Sequence, residues 1–313
     1  MFSNNYNCYT RLYKRKLEQE FGSDYVNALD VSECLFPIVY ICLKHRRIPP
    51  LQRNVLVSKE TELKLSGHPK WNLLKSRIEK GEDINGYVSK NARKWYDSDY
   101  LLYSCNIYHI HLRATKGGGI GDDLIYAIVK DDSLYVIRYG NHHDIFLPGE
   151  LIKDCENQWP GLHFKLDVDE DDSSTFLDHA FYKQNATDDK FKFNLIKPAG
   201  FIDEVSGKKK FISNHANTAI VPFEHDEHCW NLPLKCVMAF TYEDQLIHEI
   251  ISAIYNRYEV YPDSLELDFE RRVYIFKIPT IKGYGHYSLI EWTAPERLTV
   301  SFPSNEAKLN WHL

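Results

Sequence analysis

The densest gathering of proton-transfer and anion-binding side chains in this 313-residue chain lies between residues 107 and 144. His109, His111 and Arg113 alternate along one stretch, and Arg138, Tyr139, His142 and His143 close another. Cleaving RNA without a metal needs a base for the 2′-hydroxyl, an acid for the 5′-oxygen and a cation over the crowded phosphate. Imidazole suits the first two roles because its unperturbed pKa lies near neutrality, and guanidinium suits the third because its planar fork matches phosphate oxygens. On this reading His142 or His143 is the acid or base, Arg113 and Arg138 stabilise the anion, and His109 and His111 are further catalytic candidates. The same residues also have ordinary structural uses. A strand histidine commonly serves as a hydrogen-bond donor, Tyr139 can be packing, and Arg113 can pair with one of the ten carboxylates between residues 96 and 160.

Three other groupings invite chemistry. The loop KGGGIG at residues 116–121 offers backbone amides to an anion, but dinucleotide and ATP loops run from a glycine turn into a helix, whereas a strand follows here. It reads as a mobile hairpin connection that can act as a flap. His225, His228, Cys229 and Cys236 supply soft nitrogen and sulfur donors at close spacing, an alternative zinc site, although their order matches no standard finger. His248-Glu249 lacks the second histidine of a metalloprotease helix.

The elements that would position these groups follow from hydrophobic period. Residues 107–112 alternate, which places Ile107, His109 and His111 on one face of a strand and Tyr108, Ile110 and Leu112 on the other. Residues 124–129 are continuously apolar, as in a central strand, and Lys130-Asp131-Asp132-Ser133 is turn chemistry before a third strand at 134–139. Before this hairpin the period is helical. Helices are expected at 10–21, at 31–45 and at 71–80, the last stopped by Gly81, and a short one at 148–155 begins with proline. Beyond the acidic stretch 167–172 the pattern restarts, with a hairpin across 201–212, a strand at 219–223, a helix capped by Thr241, and two further strands. The fold class expected is α+β: a helical N-terminal region with a small antiparallel sheet over residues 1–166, and a second α+β domain over 167–313 that binds a partner or regulates.

The string DDLIYAIVKDDSLYVIRYGNHHD, residues 122–144, resembles the paired C-terminal strands of the RelE and YoeB type of ribosome-dependent toxins. IYHIHLRA, residues 107–114, is similar to the strand that precedes them. The resemblance implies a small twisted antiparallel sheet. It also implies Arg113, Arg138, His142 and His143 as the residues of phosphate stabilisation and proton transfer, RNA or the ribosome as target, and an antitoxin as protein partner. A broader likeness, from residue 99 to the Trp159-Pro160 corner, is to uncharacterised bacterial proteins and implies no activity.

Composition bounds the remaining choices. Hydrophobic residues make up 43% and charged residues 26% of the chain, the balance of a folding globular protein rather than a disordered or fibrous one. The most apolar stretch, 34–43, is too short to cross a bilayer, and residues 1–8 do not read as a secretory signal, so a cytoplasmic protein without a membrane association is expected. Seven cysteines without a CxxC pair suit buried thiols. Residues 1–95 carry 17 basic and 10 acidic side chains, a net of +7 within a chain whose formal charge is -6. That asymmetry fits either a polyanion-binding face or a chance distribution. The function expected is therefore a metal-independent ribonuclease of a toxin or phage-defence system, with no cofactor. Its alternatives are a non-catalytic interaction or immunity protein and a zinc-binding protein.

Overall fold

The alternating and the continuous apolar stretches fold as neighbouring strands of one sheet, flanked on both faces by helices. The computed structural model describes residues 7–97, 99–162, 165–168, 200–202, 209–212, 218–222, 229–268, 273–277, 284–288, 298–301 and 309–311. The chain is α+β and forms two units, residues 1–41 with 238–313, and residues 42–237. Residues 169–174 of the expected interdomain stretch lie outside those described.

In the unit of residues 42–237, β1 (Asn54–Val57), β2 (Tyr108–His111), β5 (Leu124–Val129) and β6 (Ser133–Gly140) form a sheet in the order β1-β6-β5-β2. Three of these are the expected antiparallel strands. The fourth is a correction: β1 joins β6 in parallel, so the sheet is mixed. Parallel partners need a long crossover rather than a tight turn, and a four-residue strand with no hairpin signal beside it does not stand out in the sequence.

The expected faces of β2 hold. Ile110 and Leu112 pack with Ile125, Ala127, Leu134 and Val136 against α4 (Lys59–Leu65) and α5 (Pro69–Glu79), through Leu65, Trp71, Leu74 and Ile78. Ile107 joins Leu124, Tyr126, Ile128 and Ile137 on the other face, under α6 (Tyr100–Cys105) and α7 (Pro148–Gln158). A bulge interrupts the β5–β6 ladder: Ala127 pairs Val136, but Tyr126 pairs Arg138. The bulged residue, Ile137, has a carbonyl that accepts from the Ser58 hydroxyl at 2.7 Å and the Thr61 hydroxyl at 3.0 Å. Two side chains from the start of α4 thus satisfy the group that the bulge takes out of the ladder.

The glycine loop is the expected hairpin connection, formed by β3 (Ala114–Thr115) and β4 (Gly118–Gly119). Gly118 and Gly119 are buried, and the Gly119 amide donates to Val88 O at 2.7 Å. A side chain at Gly119 would strike the His111 ring and Tyr87 O, so glycine is there for close approach. The same unit has two further sheets, β7 (Lys165–Val168), β9 (Lys209–Ile212) and β8 (Gly200–Ile202) in that order, and β10 (Thr218–Pro222) with β11 (Cys229–Pro233).

The other unit contains α1 (Asn7–Phe21), α2 (Ser23–Asn27) and the first part of α3 (Phe36–His45). It also holds most of α8 (Leu234–Tyr258) and the antiparallel meander β12 (Ser264–Asp268), β13 (Val273–Lys277), β14 (Tyr284–Ser288), β15 (Leu298–Ser301) and β16 (Leu309–Trp311). The cations of α1 are absorbed locally. Lys16 is buried with its ammonium 4.6 Å from the Tyr13 ring centre and 5.3 Å from that of Tyr40, a cation–π arrangement. Arg11 and Arg15 donate to Asp263 O and Leu265 O at 3.0 and 2.9 Å. Tyr13 donates to the buried Glu243 carboxylate at 2.6 Å.

Two helices start five or more residues from where they are expected. α3 begins at Phe36 after a 3-10 turn at Glu33–Leu35, because Pro37 fits a first turn but not a helix interior. α8 begins at Leu234 directly after Pro233, so Thr241 lies inside it rather than capping it. Among the described residues no helix is long and apolar enough to cross a membrane. Cys8, Cys42, Cys105, Cys155 and Cys236 are buried thiols and Cys34 is exposed.

Candidate active site

Strand register decides which of the candidate residues meet. His111 pairs with Leu124, and Leu124 with Gly140, so the end of β6 lies two strands from β2 with a glycine in the row. Continued by two residues, the β5–β6 register sets Asp122 opposite His142. There the His142 ring Nδ1 donates to Asp122 Oδ1 at 2.5 Å, and the His142 amide donates to the same oxygen at 3.0 Å. The ring centres of His111 and His142 are 5.3 Å apart, those of His109 and His111 6.0 Å, and those of His109 and His142 6.4 Å. Three of the four expected histidines therefore form one cluster on the sheet face that carries α6 and α7.

Each ring is held by a different device. His111 is buried, with Gly119 against its ring, and its Nδ1 donates to Gly121 O at 2.9 Å, which leaves Nε2 with the lone pair. Burial pulls its pKa down to about 4, with the Gly121 carbonyl opposing and the other two imidazoles adding to the fall. His111 is neutral at neutral pH. Burial also lowers the pKa of His109, against the pull of Asp99. Its Nδ1 is buried without a hydrogen-bond partner, 3.8 Å from Asp99 Oδ2. The other oxygen of Asp99 caps α6 by accepting from the Leu102 amide at 3.1 Å.

His142 sits in a 3-10 turn, His142–Phe146, whose entry is fixed from several sides. Asn141 and Asp144 form a reciprocal capping box, with the His143 amide on Asn141 Oδ1 and the Asn141 amide on Asp144 Oδ2. Tyr126 donates its hydroxyl to Asn141 O at 2.6 Å. The Asp122 carboxyl is held below its usual range, first by the His142 amide and then by the His142 ring.

Arg138 shares the sheet face but not the cluster. Its row runs from His109 through Tyr126, two strand spacings away, or about 10 Å. Its guanidinium contacts Asp154 at 2.7 and 2.8 Å, Asp144 at 3.1 Å and Glu150 at 3.2 Å. Three carboxylates leave it little charge to offer a phosphate, and through Asp144 it braces the turn that presents His142. Arg113 stands differently: it is exposed, has no carboxylate partner among the described residues, and its Cδ passes beside Gly121. His143 is exposed at the next position of the His142 turn. Tyr139 packs on the opposite core and donates to Asp123 Oδ1 at 3.2 Å.

The sequence reading missed Asp122 and Asp99. Asp99 had a local signal, an aspartate before an apolar helical stretch. Asp122 had none, since its position opposite His142 depends on the bulge. Of the alternative zinc ligands, His225, His228 and the side chain of Cys229 lie outside the described residues, and Cys236 is buried. Among the described residues no three His, Cys, Asp or Glu side chains are placed to hold a metal ion.

Chemically, the cluster pairs a neutral imidazole whose Nε2 can accept a proton with an imidazole that is hydrogen-bonded to a carboxylate. No family model matches the chain, and neither a curated protein nor a solved structure matches it.

Proposed function

We propose that the imidazole cluster cleaves RNA by metal-independent acid–base catalysis, the activity that the toxin-like strands at residues 107–144 imply. The observation that carries this reading is the convergence of His109, His111 and His142 within 5.3–6.4 Å, one of them paired to a carboxylate. His111 Nε2 takes the proton of the 2′-hydroxyl, O2′ attacks phosphorus, and the P–O5′ bond breaks. Protonated His142, supported by Asp122, gives its proton to the departing O5′. Arg113 contacts the phosphate oxygens as charge builds on them. His109 completes the cluster at 6.0 Å from His111 and 6.4 Å from His142, and the Arg138 clamp positions rather than reacts. A toxin or phage-defence role follows from the same resemblance.

The test is incubation of the full chain with a single-stranded RNA oligonucleotide in EDTA. Expected are products ending in a 2′,3′-cyclic phosphate, no cleavage of a substrate with a 2′-deoxy sugar at the scissile position, and losses of about 100-fold or more in His111→Ala and His142→Ala. Intact RNA with wild-type protein ends the proposal.

A second reading has one observation behind it. His111 and His142 both spend Nδ1 on oxygen partners, the orientation that directs Nε2 of an imidazole to a metal. As placed the rings do not hold an ion, so binding requires them to close up. Activity abolished by chelation and restored by zinc alone would replace the acid–base mechanism with this one.

A further inference from the structure

Between residues 86 and 121 the chain carries Lys90, Arg93, Lys94, Arg113 and Lys116 against only Asp97 and Asp99. Folding brings the two groups of cations together. Ser89 bridges Gly119, and a side chain at Gly118 would come within 2.6 Å of the Lys90 Cα, so the 3-10 turn Lys90–Arg93 lies directly on the β3–β4 hairpin. Arg113 enters that hairpin and Lys116 forms its tip, while Gly119 at its far side touches the His111 ring.

Lys90, Lys94, Arg113 and Lys116 are exposed and have no carboxylate partner among the described residues. The acids around them are engaged: Asp97 with Arg46, Asp99 with the α6 cap, Asp122 with His142, and Asp123 with Lys70 and Tyr139. Beside Lys94, Tyr96 is 46% exposed, with its ring at 87° to that of Trp95, and the exposed part of an aromatic ring can meet an unpaired base.

We propose that this rim is a track for the backbone phosphates of single-stranded RNA, leading the strand across the hairpin into the imidazole cluster. It rests on the RNA reading above. Two arguments select a single strand over a duplex. In-line attack by O2′ needs a backbone free to rotate, which an A-form duplex forbids, and an exposed aromatic ring serves bases that are not stacked on a neighbour.

The experiment measures binding of a fluorescent single-stranded 2′-O-methyl oligouridine, which cannot be cleaved, to the full chain across a series of salt concentrations. Each phosphate neutralised on a single strand contributes about 0.7 to the slope of log K against log salt. The Lys90→Ala, Lys94→Ala, Lys116→Ala triple variant is expected to lower that slope by about 2, with a tenfold or larger loss of affinity at moderate salt. A triple variant at Lys59, Lys64 and Lys75, on the helices of the opposite sheet face, is expected to leave the slope unchanged.

An unchanged slope in the first variant, or an equal drop in the second, overturns the track. So does binding of a 2′-O-methyl duplex or of polyglutamate with the same affinity and the same loss. If the slope falls as expected but wild-type protein leaves RNA intact, the cleavage reading fails and the track stands. Should wild-type protein cut RNA with a slope that the first variant does not alter, the track fails and the cleavage reading stands.

Discussion

Arg138 and Arg113 lie at opposite sides of the same imidazole cluster, and they are used in opposite ways. Arg138 is enclosed by Asp144, Glu150 and Asp154, with only 19% of its side chain exposed. Arg113 sits on an open hairpin with no acidic partner among the described residues. A partly buried, multiply paired cation fixes geometry, whereas an unpaired exposed one is free to meet an anion. Residue type and nearness to histidine do not separate these two roles; the surrounding charge does. The basic N-terminal third divides along the same line: Arg11, Arg15, Lys16, Arg46 and Arg53 hold carbonyls, carboxylates and rings, whereas Lys90 and Lys94 have no carboxylate partner among the described residues.

The contrast breaks most visibly at Arg138. Arg138→Ala leaves three carboxylates facing one another and is expected to cost about 2–4 kcal/mol of stability by chemical denaturation. If the variant unfolds at the wild-type denaturant concentration, the clamp is not structural.

Next in size is Gly119→Ala, whose methyl group meets the His111 ring and Tyr87 O. A loss of about 1–3 kcal/mol is expected, together with a shift of the His111 ring resonances.

The bulge is tested by Ser58→Ala with Thr61→Val, which removes both hydroxyls from Ile137 O. The expected cost is about 1–3 kcal/mol, and RNA cleavage should fall further than in a variant of equal stability loss elsewhere, because the register that sets Asp122 against His142 relaxes.

The pH dependence is subtler. His111 is held near pKa 4 in the folded protein, below the value of an unconstrained histidine, so the unfolded chain takes up the proton first. Its contribution to stability is complete above about pH 6.5, declines as the pH falls through the window down to about 4, and then levels off. His111→Gln should flatten that part of the curve. An unaltered acid limb would show that the ring is not buried as described.

The smallest effect on stability belongs to Arg113→Ala, expected within about 0.5 kcal/mol of wild type. RNA cleavage in the same variant should drop by about 100-fold, the cost of losing one group that stabilises the transition-state charge.

Much of the sheet was legible because local signals agreed. The alternation at residues 107–112, the apolar run at 124–129 and the acidic turn between two strands each point to the structure found, and they place His109 and His111 on the correct face. The third helix was legible too, with Gly81 just beyond its C-terminal end. What was not legible depends on distant pairing. β1 reaches β6 across more than seventy residues, and no neighbouring pattern announces it. Thr241 with Asp244 imitates a capping signal inside a helix that Pro233 had already begun.

The bulge had the largest consequence for the site. A hairpin counted outward from its turn, with Val129 opposite Leu134, would set Asp122 opposite Asn141. The extra residue at Ile137 moves the partner to His142. One inserted residue, anchored by two hydroxyls from another element, thus separates an isolated histidine from a carboxylate-supported one. That is why Asp122 could not be named from spacing, and why Arg138, which its residue type made an anion stabiliser, is found under carboxylates.

The division of the chain has a consequence for its synthesis. The unit built from residues 1–41 and 238–313 is completed only when its second segment emerges, so α1 must wait on the ribosome for the Glu243 carboxylate that receives Tyr13 and for the strand that receives Arg15. The unit of residues 42–237 is translated without interruption in the meantime and can close its core first. Birth order therefore favours the half that carries the imidazoles. A nascent chain stalled before residue 238 would expose the tyrosine-rich face of α1 while already displaying the histidine cluster.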